Sequence, residues 1–447
     1  MSLFYADYPI FGLCCTKNEI VLSGGGGGKD YGIEDQIEFY ELENNKIDYT
    51  NFGINNKVSV DNSLVLKYVN STTKQNGVID SMCYNSKLNI LVGGIKNTCL
   101  LFYIEESNDE KYLRMYLQFQ TVWSDQKKGG GKQNICRFSR DGNLLLTGGT
   151  DNVIRLWELN RGAKHTTDIF PVNMIDFLGH EDEILDLDMS HDNLFTISTN
   201  RSGNILVHDS TTRQLLKKFS VPSKNGNFIA RQCRFIDSDI KSPKRQNNES
   251  KNKQYLVCLL IHEIRGNSYV TTWNMKLSSG DTNNLENKII FSQINSVFVC
   301  DKPSSILITS NDFKYIGVGT NSGCVKVYVN NINNLRLLKE GNFHDLPVTG
   351  LYFFKENKYI ISSGADYTIS VMDINMRKEN NDIRRKEKDN SKFGALRIFS
   401  KLFKILILLL IVLLILKICI EHYTNIVNSN SHSNNIKNHY SGRLEEL

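Results

Sequence analysis

Short apolar runs alternate with polar turns along most of this chain, and the pattern predicts β-strands. The segment from Ile135 to Asn160, ICRFSRDGNLLLTGGTDNVIRLWELN, contains an apolar run and an Asp-Gly turn. A second run then ends in Gly-Gly, and a third ends in Trp-Glu. Runs of this length between turn residues are typical of antiparallel strands. We therefore expect three strands in this segment.

The same pattern recurs at intervals. Further copies begin at Phe11, Ile79, Ile184, Ala230, Ser304 and Val348. The positions equivalent to the tryptophan are Tyr40, Phe102, Trp157, His208, Trp273, Tyr328 and Met372. Gly-x-Asp before an aromatic strand is the WD-repeat pattern, which a generic β-sandwich would not repeat. The sequence therefore predicts an all-β fold, a seven-bladed WD-repeat β-propeller over residues 1–375.

The last copy lacks its own fourth strand. Each of the first six copies is followed by another strand-like run, whereas charged residues follow Asp373. The apolar stretch at residues 3–8, LFYADY, precedes the first copy. We expect this stretch to complete the last blade, so that one sheet joins both ends of the propeller.

An apolar segment near the C-terminus predicts a membrane anchor. Residues 402–420 are apolar except for Lys404 and Lys417, and they show no amphipathic face. The ten Lys and Arg residues within 376–404 outnumber four acidic residues, whereas the residues from 417 onward are balanced. The positive side stays cytoplasmic. We therefore expect a basic cytosolic linker at 376–401, a transmembrane helix at 402–420 and a lumenal tail at 421–447.

Charge and cysteine content exclude other classes. The chain's net charge is +5, and the pre-membrane segment carries more than all of it, which leaves the preceding body near neutral. A nucleic-acid binder would carry a basic body, so no nucleic-acid partner is expected. The ten cysteines include no C-x-x-C pair, which predicts a reducing compartment and no disulfide partner.

A glycine run interrupts the first repeat, SGGGGGKDYGIEDQIEFY from Ser23 to Tyr40. A phosphate-binding loop needs a hydroxyl residue after the lysine, but Asp30 follows Lys29, and a strand follows instead of a helix. The equivalent loops elsewhere are short, as at residues 150–152. A long glycine loop on such a scaffold is usually functional. We expect this loop to be exposed, and Ile33 is an unusual apolar residue for a solvated loop unless it inserts into a partner.

The glycine run, the Gly32-Ile33 pair and the C-terminal apolar segment together resemble the Sec-twelve/PREB (prolactin regulatory element-binding protein) family. The resemblance implies a guanine nucleotide exchange factor (GEF), not an enzyme acting on a small molecule. Its partner would be the Sar-type small GTPase of the COPII coat, and it would lie in the endoplasmic reticulum membrane with the propeller cytosolic.

The resemblance also implies site residues. The catalytic, GTPase-remodelling residues would be Gly32, Ile33, Glu34 and Asp35. A structural potassium ion would be held by Gly24, Gly25, Gly26, Gly27, Gly28 and Asp35. Family members usually carry asparagine at the last position, where this chain has Asp35. A carboxylate still offers oxygen ligands to a hard cation.

An alternative function from another class is a catalytically inactive, membrane-tethered WD-repeat scaffold. An enzyme has little support, because the sequence contains neither H-E-x-x-H nor G-x-S-x-G. His180 and His344 are interpreted as histidines of the repeat architecture. Scaffolding would leave the first-blade loop dispensable, whereas nucleotide exchange would depend on it.

Overall fold

Seven antiparallel sheets surround a common axis in the computed structural model of this chain, and their innermost strands contact one another in a closed ring. The structure describes residues 2–26, 33–44, 55–61, 63–73, 77–107, 110–123, 130–161, 169–224, 226–236, 254–277, 289–331 and 334–374. The arrangement confirms the all-β, seven-bladed propeller predicted from the repeats.

The first four blades follow the chain in order. Blade 1 contains Ile10–Cys15 (β2), Glu19–Gly24 (β3), Gln36–Asn44 (β4) and Leu64–Thr73 (β6), with Lys57–Val58 (β5) paired outside β6. Blade 2 contains Ser81–Asn85 (β7), Ile90–Ile95 (β8), Thr98–Ser107 (β9) and Glu110–Gln120 (β10). Blade 3 contains Gln133–Phe138 (β11), Leu144–Gly149 (β12), Ile154–Arg161 (β13) and Ile169–Phe177 (β14). Blade 4 contains Ile184–Met189 (β15), Phe195–Asn200 (β16), Ile205–Asp209 (β17) and Leu215–Phe219 (β18).

A two-stranded hairpin, Pro222–Ser223 (β19) with Gly226–Asn227 (β20), precedes the last three blades. Blade 5 contains Ile229–Ile236 (β21), Gln254–His262 (β22), Ser268–Leu277 (β23) and Ile289–Cys300 (β24). Blade 6 contains Ser304–Thr309 (β25), Tyr315–Thr320 (β26), Cys324–Asn331 (β27) and Asn334–Asn342 (β28). Blade 7 contains Val348–Phe354 (β29), Tyr359–Gly364 (β30), Thr368–Asp373 (β31) and the N-terminal strand Ser2–Tyr5 (β1).

The predicted tryptophan-equivalent positions all lie on the third strands of their blades. Where the third strand pairs with the fourth, the register shifts beside Tyr40, Trp157, His208, Trp273 and Tyr328. A β-bulge at this point bends the outer strand and increases its twist. The repeat alignment read from the sequence is therefore correct at the level of single residues.

The N-terminus closes the ring as expected, with one correction. Leu3 pairs with Ser370, and Val60 N donates to Leu3 O on the outer side, so that β1 is covered on both edges. The strand ends at Tyr5, whereas the sequence predicted residues 3–8. Ala6 N still donates to Tyr367 O, but Pro9 has no N–H, and the chain turns inward as a link to blade 1.

Each interface between neighbouring blades is filled by apolar side chains, and no single core dominates. The cluster between blades 7 and 1 includes Phe4, Tyr8, Ile20, Tyr40 and Ile369, all fully buried. The propeller lies within the unit Met1–Asn375. The predicted linker, transmembrane helix and tail at 376–401, 402–420 and 421–447 lie outside the described residues. Within the described ranges, no helix has the length and apolar character needed to cross a membrane.

Candidate functional site

Strand direction fixes which loops share a face. Because successive strands of a blade alternate in direction, the links between second and third strands lie on the same side as the links between blades. We call this side the loop face. The connection between β3 and β4, residues 25–35, lies there, whereas the equivalent link of blade 3 is only residues 150–153. The first-blade loop is therefore the long insertion on this face that the sequence predicted.

The loop leaves β3 through glycines that no other residue could replace. A Cβ on Gly24 would overlap Pro9 O and the Tyr8 ring, and a Cβ on Gly25 would overlap the carboxylate of Asp35. Gly25 also has φ +152°, a value that side chains beyond glycine rarely adopt. Gly25 N donates to Pro9 O at 3.3 Å. The glycines thus allow the loop to enter close against the blade 7–blade 1 link.

Ile33 lies at the base of this loop rather than at an exposed tip. It is half-buried against the apolar cluster between blades 7 and 1, and its carbonyl accepts a bond from Gly26 N at 3.4 Å. A Cβ on Gly26 would lie 2.9 Å from Ile33 Cβ. The expectation of an exposed Ile33 is wrong. The backbone bond between Gly26 and Ile33 brings the two sides of the loop together, and the Ile33 side chain packs on the cluster between blades 7 and 1.

Asp35 is the most unusual group in the loop. It is 4% exposed, and its Oδ1 has no hydrogen-bond partner among the described residues. A buried carboxylate oxygen without a donor costs free energy unless a cation or solvent satisfies it. Glu34, immediately before it, is exposed. The loop therefore presents one carboxylate outward and turns the next one inward, beside Gly25.

These residues fit a cation site. Asp35 supplies an anionic oxygen, and the glycine backbone has no side chains to block access to it. Gly27, Gly28 and Gly32 lie outside the described residues, so the structure brings together only Gly24, Gly25, Gly26, Ile33, Glu34 and Asp35 of the predicted set. Among the described residues there is no cluster of three or more His, Cys, Asp or Glu side chains suited to a metal.

A buried tyrosine–carboxylate group beneath the loop was not predicted. Tyr8 Oη and Tyr40 Oη both donate to Glu38 Oε2 at 2.7 Å. Burial, followed by the charge of Glu38, raises the pKa of Tyr8 and of Tyr40 well above the usual range. Both phenols therefore stay protonated and hold β4 against the blade 7–blade 1 link. The position of Tyr8 could not be predicted, because the apolar alternation of residues 3–8 resembles one continuous strand.

The two histidines singled out in the sequence are structural. His344 Nε2 lies 2.6 Å from Ser362 Oγ, and His180 Nε2 lies 2.7 Å from Ser198 Oγ. Burial, with the charge of His208 next, lowers the pKa of His180 to about 3. Both side chains link the entry of a blade to its second strand, as expected for repeat-architecture histidines.

Exposed apolar side chains accumulate on the loop face. Those in links or strand ends on this face are Tyr5, Trp123, Leu178, Ile264, Leu346 and Tyr367. Tyr5 is 59% exposed, and the carbonyl of Tyr367 accepts a hydrogen bond from Ala6 N, in the link between blades 7 and 1. Single exposed apolar residues are ordinary, and these six are notable only for sharing one face.

Comparisons with known proteins agree with this architecture. The family model described as "WD domain, G-beta repeat" matches residues 130–158. The solved structure of Sqt1 from Chaetomium thermophilum superposes with a TM-score of 0.53 and 10% identity, over 83% of this chain and 98% of that one. This likeness shows the fold alone.

The similarity to curated relatives extends over only part of each protein. WD repeat domain-containing protein 83 of Danio rerio is 36% identical over 74 residues, which are 17% of this chain and 21% of that protein. Guanine nucleotide-exchange factor SEC12 is 24% identical over 232 residues in both Mus musculus and Rattus norvegicus, which are 50% of this chain. The chain spans about half the length of these SEC12 proteins, 48%. It is thus a WD-repeat β-propeller with distant similarity, over half its length, to proteins named as guanine nucleotide-exchange factors.

Proposed function

We propose that this protein is a membrane-anchored exchange factor that promotes GDP release and GTP loading on a Sar-type small GTPase. It would thereby start COPII vesicle budding at the endoplasmic reticulum. The observation that carries the proposal is the long first-blade loop, which begins with closely packed glycines and contains Asp35, whose Oδ1 has no hydrogen-bond partner among the described residues. The distant similarity to proteins named as exchange factors supports the same function.

Exchange requires a surface that binds the empty GTPase more tightly than the loaded one, because only differential affinity shifts an equilibrium. Each tenfold weakening of GDP binding needs about 1.4 kcal/mol of such preference. The exposed apolar side chains on the loop face, including Tyr5 and Tyr367, offer contact area on the same face as the loop. The loop itself, through Gly32 and the exposed Glu34, would enter the nucleotide site.

The charge of Glu34 suits a particular task. A carboxylate near the nucleotide repels phosphate oxygens and attracts the magnesium ion that binds them. Ile33 is anchored in the blade 7–blade 1 cluster, so it would fix the position from which Glu34 projects. We therefore assign Glu34 the contact with the GTPase site and Ile33 the positioning of the loop.

A potassium ion suits the base of this loop. Asp35, with backbone oxygens from Gly24 to Gly28, would hold it. When bound, the ion would neutralise the buried Asp35 carboxylate and would favour one loop conformation. The chain's own contribution is the glycine backbone, the inward carboxylate and the Tyr8–Glu38–Tyr40 support beneath them.

The direct test is GDP release. Full-length protein would be mixed with a Sar-type GTPase loaded with fluorescent GDP and, as a control, with a small GTPase of another class. We expect accelerated release from the Sar-type GTPase alone. Binding without acceleration would instead support the membrane-tethered scaffold.

The proposed anchor at 402–420 has its own test. When protease is added outside intact microsomes, it should digest the propeller and spare a tag placed after Leu447. A protected propeller would contradict the proposed topology, whatever the result of the exchange assay.

A further inference from the structure

Two cysteines from neighbouring blades meet in the central channel. Cys83 lies on β7 of blade 2 and Cys136 on β11 of blade 3, and their sulfur atoms are 3.7 Å apart. Both line a cavity of about 290 Å³ on the propeller axis. The turns that follow the innermost strands also line it, which places it toward the side opposite the loop face. The cavity thus leads small molecules to Cys83, which is partly exposed, and to the edge of Cys136, which is 2% exposed.

The surroundings of the two sulfurs differ. Ser81 Oγ accepts a bond from Cys136 N at 2.9 Å, so its own proton is available to Cys136 Sγ at 3.4 Å. The Cys83 thiol also donates to Cys136 Sγ. When Cys136 is protonated, its own proton can go to Ser81 O at 3.4 Å. Cys136 thus receives two donors, whereas Cys83 acts as a donor.

This arrangement favours a thiolate on one sulfur only. The hydrogen bond from Cys83, together with Ser81 and the neighbouring Arg137, lowers the pKa of Cys136 despite its burial. Burial raises the pKa of Cys83, as it does for Cys14, Cys99, Cys233 and Cys258. A nucleophilic sulfur beside a second thiol is the arrangement found in peroxide-reactive cysteine pairs.

We propose that Cys83 and Cys136 form a hydroperoxide-reactive thiol pair that joins blades 2 and 3 by a disulfide. The Cys136 thiolate attacks the terminal oxygen of the hydroperoxide, the O–O bond breaks, and the alkoxide or hydroxide leaves and takes up a proton. Cys136 is now a sulfenic acid. The Cys83 sulfur then attacks the Cys136 sulfur, and the S–O bond breaks to release water with the Cys83 proton.

The overall step balances. Two thiols lose two electrons and two protons, and one hydroperoxide is reduced to an alcohol, or to water if it is hydrogen peroxide, plus one water. The sulfurs must close from 3.7 Å to a bonded distance of about 2.0 Å. The inner strands that carry them are already in contact across the blade interface. The resulting crosslink would add a covalent bond between strands that are otherwise held by packing and by hydrogen bonds such as that from Cys136 N to Ser81 Oγ.

Peptide mapping of the wild-type chain tests the proposal directly. Reduced full-length protein would receive limiting hydrogen peroxide or, in a parallel arm, tert-butyl hydroperoxide, followed by alkylation under denaturing conditions and mass spectrometry. We expect a Cys83–Cys136 peptide pair that has lost two hydrogens to appear several-fold faster than oxidation of Cys300 or Cys324. Those two thiols are partly exposed and serve as internal controls. Oxidation of Cys300 or Cys324 while Cys83 and Cys136 still alkylate would overturn the proposal.

Variants then separate the two roles. Cys83→Ser should leave a sulfenic acid on Cys136 that dimedone traps, and Cys136→Ser should leave Cys83 unreactive. Cys99→Ser, at a buried thiol nearby, is the matched control and should still form the disulfide. Equal peroxide reactivity of Cys83 and Cys136 in the two single variants would contradict the assigned roles. The wild-type peptide map decides the proposal even if a variant fails to fold.

Discussion

At the scale of single residues, the first-blade loop combines one predicted feature with one unexpected feature. The glycines at 24–26 are required by close approach and backbone conformation, as their composition suggested. The inward position of Asp35 was not foreseeable. It depends on Gly25 and Asp35 meeting across a ten-residue excursion, and hydrophobic alternation carries no information about such a meeting. The glycines of the loop site could thus be predicted from the sequence, whereas the inward position of the Asp35 carboxylate required the structure.

Asp35 gives the first prediction, which concerns stability rather than activity. If a potassium ion occupies the loop, the melting temperature should be higher in potassium chloride than in sodium chloride at equal ionic strength. At a concentration about ten times Kd the gain would be about 1.4 kcal/mol. Asp35→Ala should abolish the difference, and Asp35→Asn should retain most of it. Identical melting of wild type and Asp35→Ala in both salts would argue against the ion.

Ile33 gives the second prediction. Because its side chain packs half-buried on the blade 7–blade 1 cluster, Ile33→Ala should cost about 1–2 kcal/mol of folding free energy and lower the melting temperature by a few degrees. Exchange should slow as the loop loses its anchor. Glu34→Gln should slow exchange without changing the melting temperature. If Ile33→Ala melted like wild type, the packing described for the loop base would be wrong.

At the scale of elements, the repeats were readable because the strands of each blade recur in the same order, with a second strand that is buried along its length in blades 1, 2, 4 and 7. The third-strand positions found by sequence comparison coincide with the bulges of the sheets. The end of β1 was not readable, since Ala6 and Tyr8 continue the apolar alternation while the chain has already left the sheet. Pro9 was the one local signal for that change of direction.

Closure by β1 gives the third prediction. Removing residues 2–5 exposes the edge of β31 and removes the Val60–Leu3 backbone bond. The melting temperature should fall markedly, and the exposed edge should promote aggregation. Shortening the polar insert at 237–253, which lies outside the described residues, is the matched control and should have little effect. Unchanged melting after removal of β1 would mean that blade 7 is stable with three strands.

The buried histidines give the fourth prediction. Burial lowers the pKa of His180 from 6.5 to about 3, and it also lowers the pKa of His208 and His344. The unfolded chain therefore binds protons that the folded chain resists, so stability should fall as pH drops below about 6.5. Each such histidine contributes up to about 1.4 kcal/mol per pH unit. Melting temperatures between pH 7 and 5 would show it, with a shallower slope in His180→Gln. A flat profile would contradict the neutral buried state.

At the scale of the whole molecule, the loop face brings together what distant sequence positions contribute separately. Tyr5 from the N-terminus and Tyr367 from the last blade come together, on the same face as the first-blade loop, because β1 pairs with β31 and closes the ring. The missing fourth strand of the last repeat predicted that closure. Strand direction also predicts which links share one face. The exposure of the side chains in those links could be established only from the structure.

The most direct test of the account is catalysed GDP release from a Sar-type GTPase by a loop-replacement variant. Residues 25–35 would be replaced by the short turn of blade 3, residues 150–153, and the full-length chain lacking the 237–253 insert would serve as control. Melting curves would confirm that both variants fold. We predict that release falls to the uncatalysed rate with the loop replaced and stays at the wild-type rate without the insert. Wild-type release from the loop-replacement variant would contradict the account.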